Sequence, residues 1–148
     1  MTSRERVLKR EYERGRMDAL EVQKRSPDMT GTELNAVDDR IPRFLEAVEN
    51  QNMLLRDPGF VCQSSAGRVV KLLQSYDSNT YPQEPEDLPA QWAFVWSKDP
   101  TKARPFVAIS TSPYMKKDCC TENGSTYRSL IDNNVWAPSA YPSGWEAV

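Results

Sequence analysis

The apolar and polar positions of this chain follow two unlike patterns. Residues 4–25 are dense in Arg, Glu, Lys, Leu and Ala, all good helix formers, and Ser26-Pro27 predicts the end of that run because proline disfavours a helical residue before it. Leu8, Tyr12, Gly15, Ala19 and Val22 share one seam of such a helix. A lone helix of this length is marginal in water, so the seam predicts a partner, either the rest of the same chain or further copies of it. Thr30-Gly31-Thr32-Glu33 has the Thr-x-x-Glu pattern of a capping box and predicts a helix running toward Asp39. Pro42 suits the first turn of another helix, Arg43 to about Leu55, with Phe44, Leu45, Val48, Met53 and Leu54 or Leu55 on its apolar side. Asp57-Pro58-Gly59 is a stop signal.

Beyond that point the helical period is lost. Asn123-Gly124 is the favoured pair for a tight hairpin, since glycine takes a positive φ without steric cost. Ser125 to Leu130 then alternates, with Tyr127 toward the core, and a polar loop from Asp132 to Pro142 leads to a short closing strand at Trp145. A related order occurs earlier. Cys62, Gly67, Val70, Lys71 and Leu73 match Cys119, Gly124, Tyr127, Arg128 and Leu130 at identical spacing, and each set is followed by Tyr-Pro (Tyr81-Pro82, Tyr141-Pro142) and a closing Trp92 or Trp145. Units this small hold little core, so both closing tryptophans are expected to be buried.

Composition sharpens the division. Of 14 aromatic residues only Tyr12 and Phe44 precede residue 57, and of 11 prolines only Pro27 and Pro42 do. The expectation is an α+β protein: a charged helical region at 1–56 for attachment or oligomerisation, a first small β module at 57–96, and a second, related one at 97–148. Residues 1–16 are locally basic, but Glu5, Glu11 and Glu13 fit a solvated face better than a nucleic-acid contact, and the formal net charge is −2. There are 0 histidines, which removes imidazole-based triads and His-ligated zinc. Cys62, Cys119 and Cys120 lack metal-knuckle spacing and read as reduced thiols of a cytoplasmically made protein. The start lacks the apolar stretch of a secretory signal, and no segment approaches a membrane span. Glu84, Glu86 and Asp87 are a carboxylate cluster on a Pro-rich loop, read as acidic surface in preference to a glycosidase pair. No cofactor, metal or catalytic residue is expected.

The run Tyr114-Met115-Lys116-Lys117-Asp118-Cys119, then Asn123 to Leu130, then Asn133-Asn134-Val135-Trp136-Ala137-Pro138 and Trp145-Glu146-Ala147-Val148, resembles the small chitin-binding module of bacterial chitinases and cellulases. Lys117 stands where that family has a turn glycine, and Asp132-Asn133-Asn134 where it carries exposed aromatics. The whole arrangement is also similar to small structural proteins of tailed phages and prophages of Firmicutes. These resemblances imply a chitin-binding-like second module and a non-enzymatic virion protein of a tail, baseplate or head fibre, made in the host cytoplasm. The partners implied are other virion proteins, further copies of the chain and a cell-wall or surface polysaccharide, with no nucleic acid or membrane. The alternative is a purely structural connector or decoration protein.

Sugar binding needs a flat apolar ring facing solvent beside groups that bond hydroxyls. Trp136 lies in a loop with Asp132, Asn133 and Asn134, Tyr141 is close in sequence, and the resemblance places Tyr114 nearby. Trp136 reads equally as a core or interface aromatic. Tyr76, Asp77, Asn79 and Tyr81 occupy a similar loop in the first unit.

Overall fold

The computed structural model describes Ser3 and residues 19–148. Residues 19–25 are helical (α1) and give way to a 3-10 turn, Ser26–Asp28, with Pro27 at its start, so the α-helix ends where the proline predicts. Leu8, Tyr12 and Gly15 of the seam lie outside the described residues. Val22 is buried against Leu34, Ile41, Val61 and Val69, so it serves the chain's own core and not an assembly seam; Ala19 is half-buried.

The capping box forms. The Thr30 hydroxyl accepts from the Glu33 amide at 3.1 Å and the Glu33 carboxylate from the Thr30 amide at 3.0 Å, starting α2 (Gly31–Ala36). The helix expected from Arg43 to Leu55 splits in two. α3 covers Phe44–Asn50, and Asn52 caps a separate 3-10 turn, Met53–Leu55, accepting from the Leu54 amide at 2.9 Å. A side chain that bonds neighbouring backbone competes with continuation of the helix. Pro42 lies before α3 and has a sheet role, its carbonyl accepting from the Gln63 amide at 2.9 Å.

One sheet has the order β1 (Val61–Gln63), β2 (Val69–Leu72), β3 (Trp92–Phe94), antiparallel throughout. The other has the order β4 (Arg104–Pro105), β5 (Cys119–Glu122), β6 (Ser125–Ser129), β7 (Trp145–Ala147), with β4 parallel to β5 and the rest antiparallel. Asn123 and Gly124, with φ of 51° and 81°, form the two-residue hairpin turn between β5 and β6.

The ladders correspond closely. Val70 faces Cys62, and Leu72 faces Trp92; Tyr127 faces Cys120, and Ser129 faces Trp145. The counterpart of Cys62 is therefore Cys120 and not Cys119, because the first hairpin closes through a longer turn in which the Ser64 amide donates to the Arg68 carbonyl. Before each hairpin a residue at positive φ, Gly59 at 97° and Lys117 at 80°, donates its amide to the carbonyl of Leu72 or Ser129. After each, the Leu73 amide reaches the Gln91 carbonyl and the Leu130 amide the Gly144 carbonyl. The correspondence extends upstream of residue 57, since Arg43 bridges Gln63 in parallel much as Pro105 pairs with Thr121. Pro42 and Arg43 thus belong with the first sheet.

Alternation along β1 and β2 sends Val61 and Val69 to one face, where Val22, Leu34 and Ile41 cover them. Cys62, Val70 and Leu72 face the other way and join Phe44, Met53, Trp92, Phe94, Trp96, Tyr114, Cys120 and Trp145 in one core shared by both sheets. Between the sheets the rings of Phe94, Trp96, Tyr114 and Phe106 stack in series at centroid separations of 5.7, 4.2 and 5.4 Å, with Trp145 edge-on to the last two. Gly31 admits this stack, as a Cβ there would run into the Trp96 carbonyl oxygen.

Polar side chains tie the same parts together. The buried Arg68 guanidinium donates to Glu86 at 2.8 Å and to the Pro105 carbonyl at 2.9 and 2.7 Å. Asp38 accepts from Arg104 and from Lys102. Burial opposes its ionisation, but the hydrogen bonds from Arg104 and Lys102 outweigh it and hold the carboxyl below its usual range. Among the described residues no helix is long and apolar enough to cross a membrane.

Candidate functional site

The loop between β6 and β7 carries two exposed aromatic rings in contact. Trp136 is 50% and Tyr141 41% exposed, with ring centroids 5.6 Å apart and planes tilted by 53°. Local bonds explain why Trp136 faces outward. Its amide donates to Asn134 Oδ1 at 3.2 Å, and its carbonyl accepts from the indole N–H of buried Trp145 at 2.8 Å. Both main-chain polar groups are thus held by the core while the side chain is left at the surface.

Tyr141 is placed by its own turn. The Ala137 carbonyl accepts from the Ala140 and Tyr141 amides, each at 2.9 Å. The Tyr141 ring rests on Gly144 so closely that a Cβ there would stand 2.5 Å from Cδ1 and 2.7 Å from Cε1. Between the two rings in sequence, the Ser139 amide and hydroxyl both donate to the Glu122 carboxylate, at 2.9 and 3.1 Å. Gly144, Ser139 and Glu122 complete the site and are absent from the sequence-derived candidates. The Tyr-Pro-Ser-Gly-Trp run held a signal for Gly144, but Glu122 joins only through tertiary contact.

Other predicted residues divide by burial. Tyr114 is fully buried, stacked between Trp96 and Phe106, and cannot present a face to a sugar; burial also pushes its hydroxyl well above the ordinary tyrosine range. Asn134 is likewise fully buried, donating to Ser129 Oγ at 3.0 Å and to the Gly144 carbonyl at 3.1 Å. These two are corrected from binding residues to supports of the loop. Asp132 and Asn133 are exposed, the former accepting from the Lys116 amide at 2.9 Å and the latter at a φ of 54°.

In the first sheet the corresponding loop does not build such a surface. Tyr76 is buried and accepts from the Trp92 indole N–H at 3.0 Å, which corrects its reading as a surface ring. Asp77 accepts from Asn52, the Asn79 amide and Thr80, and these hydrogen bonds hold its carboxyl below the usual range. Asn79 is exposed, and Tyr81 is 48% exposed without an aromatic neighbour among the described residues. Of the carboxylate cluster, Glu86 is paired with Arg68 and Glu84 accepts from the Ser65 amide at 2.7 Å.

The three thiols are free and buried, and burial pushes Cys120 up to about 12 and Cys62 and Cys119 upward as well. They hold no poised nucleophile at neutral pH. Among the described residues no group of three or more Cys, Asp or Glu is arranged to hold a metal ion. A concavity of about 1040 Å³ lies elsewhere, beside Ala19, Gln23, Ile41 and Arg43, with the paired Asp38 and Arg104 in its wall. Comparison of the chain with known protein families, with curated proteins and with solved structures finds no match in any of the three.

Proposed function

We propose that this chain is a non-enzymatic recognition protein that presents the Trp136–Tyr141 corner to cell-wall or host-surface glycans. A phage virion setting, on a tail, baseplate or head fibre, follows from the sequence resemblance alone. The observation that carries the glycan reading is the pair of rings left exposed and touching on a loop whose backbone is bonded to the core. An aromatic pair of this kind, beside the Glu122 carboxylate held by Ser139, offers both a stacking surface and a hydrogen-bond partner that a pyranose requires. The test is a pull-down on chitin, peptidoglycan and bacterial cells with the native chain and Trp136→Ala. Native binding that the substitution abolishes, with urea unfolding shifted by no more than about 0.5 kcal/mol, is expected; a native chain that binds none of them overturns the reading.

A second reading, a structural connector or decoration protein, has one observation in its favour. Leu45, Leu54 and Leu55, on α3 and the 3-10 turn after it, are 57%, 55% and 71% exposed. Exposed apolar side chains in this number suit contact with another protein.

A further inference from the structure

We infer that the Trp136–Tyr141 corner receives one pyranose unit at a time, at the end or branch of a glycan, and not a run of consecutive sugars along an extended polysaccharide. This rests on the glycan reading above and specifies which part of a glycan it recognises.

Two aromatic side chains serve two successive sugars when their faces lie near one plane and stand far enough apart for each to hold its own ring. The first condition is not met. A centroid separation of 5.6 Å is that of two rings in mutual contact, within the roughly 4.5–7 Å range of aromatic pairs. The two side chains therefore make one surface, bent by 53°. A body lying against both walls has the breadth of about one ring. An interior unit of an extended chain carries a neighbour at each edge, and a chain laid flat on one wall runs out of the plane of the other. A terminal or branching unit has a free edge to turn into the corner.

Both rings stand on residues anchored in the loop. Gly144 lets the Tyr141 ring settle onto the backbone, where any Cβ would displace it. Trp136 is fixed at its amide and carbonyl by Asn134 and Trp145, one fully buried and the other 5% exposed. The Glu122 carboxylate is drawn to the same loop by Ser139 and retains lone pairs for a sugar hydroxyl, since each carboxylate oxygen accepts more than one donor. Such preorganisation limits the ordering cost of binding a small ligand.

The experiment titrates the full chain with glucose, galactose, mannose, rhamnose, N-acetylglucosamine and N-acetylgalactosamine, each as the simple methyl glycoside and as linear oligosaccharides, following Trp fluorescence and amide NMR shifts. The expected result is binding of at least one simple glycoside, with affinity changing by no more than about twofold as the chain lengthens, and loss of that binding in Tyr141→Ala and Trp136→Ala. Affinity that rises about tenfold or more with length overturns the single-unit inference but leaves the glycan reading standing. Absence of binding to every glycoside and oligosaccharide overturns both. Gly144→Ala supplies a further check: with its fold verified by urea unfolding, it is expected to weaken glycoside binding by displacing Tyr141, and unchanged affinity counts against the corner.

Discussion

Trp92 and Trp145 occupy matching places in their ladders, yet their indole N–H groups end on different partners. Trp92 donates to the hydroxyl of Tyr76, and the Tyr76 and Phe44 rings stand nearly perpendicular to its own at centroid separations of 6.2 and 5.8 Å. Trp145 donates to the main-chain carbonyl of Trp136. In the first loop an aromatic side chain is drawn inside to satisfy a buried donor. In the second a backbone group does that work, and the aromatic side chain it belongs to is free to face outward. The same buried requirement, a partner for the tryptophan N–H, thus yields a core residue in one half and a surface ring in the other.

The strongest way to probe this contrast is to remove each closing tryptophan. Trp92→Ala and Trp145→Ala are each expected to cost about 3–5 kcal/mol in urea unfolding. Only Trp145→Ala is expected to disturb the Trp136–Tyr141 corner as well, read as loss of the amide NMR signature of residues 136–141 under conditions where the variant remains folded. If that signature survives, Trp145 does not set the loop.

A smaller effect separates the loop aromatics. Tyr76→Phe leaves the Trp92 N–H unpaired in the core and is expected to cost about 1–3 kcal/mol. Trp136→Ala removes a half-exposed side chain and keeps its carbonyl, so a stability change of about 0.5 kcal/mol is expected. Equal costs for the two would show that Trp136 is a packing residue and dissolve the distinction.

The smallest test uses the turns that precede the hairpins. Gly59 and Lys117 hold equivalent positions at φ of 97° and 80°, but only glycine occupies that region without steric strain. Lys117→Gly is expected to raise stability by less than about 1 kcal/mol, the relief of strain being partly offset by the larger entropy of the unfolded chain. Gly59→Lys is expected to act in the opposite direction. A destabilised Lys117→Gly protein would show that the lysine side chain makes a contribution beyond its backbone.

Features of this fold that were legible in sequence depend on near neighbours. The Thr30–Glu33 capping box, the helix end at Ser26-Pro27 and the Asn123-Gly124 turn are each specified within a few residues, and each forms. The burial of both closing tryptophans was also legible, because so little else in either unit could supply a core. The predicted helix through Leu55 failed at Asn52, whose side chain bonds Leu54 nearby and Asp77 and Ser78 from a distant loop. The repeat was visible from its glycine to its tryptophan, but its cysteine was displaced by one position because turn length is set by hydrogen bonding and not by counting residues.

The candidate site divides along the same line. Sequence by itself determined that Trp136 and Tyr141 share a polar, Pro-rich loop before a closing strand, and that no histidine chemistry is available to this chain. Only the tertiary structure decided which aromatics remain outside. Tyr114 and Tyr76 look as polar-loop-like as Trp136 when read locally, but one completes a stack between two sheets and the other meets a buried indole N–H. Burial and hydrogen-bond satisfaction depend on which distant groups arrive at the same place, and local spacing does not record that.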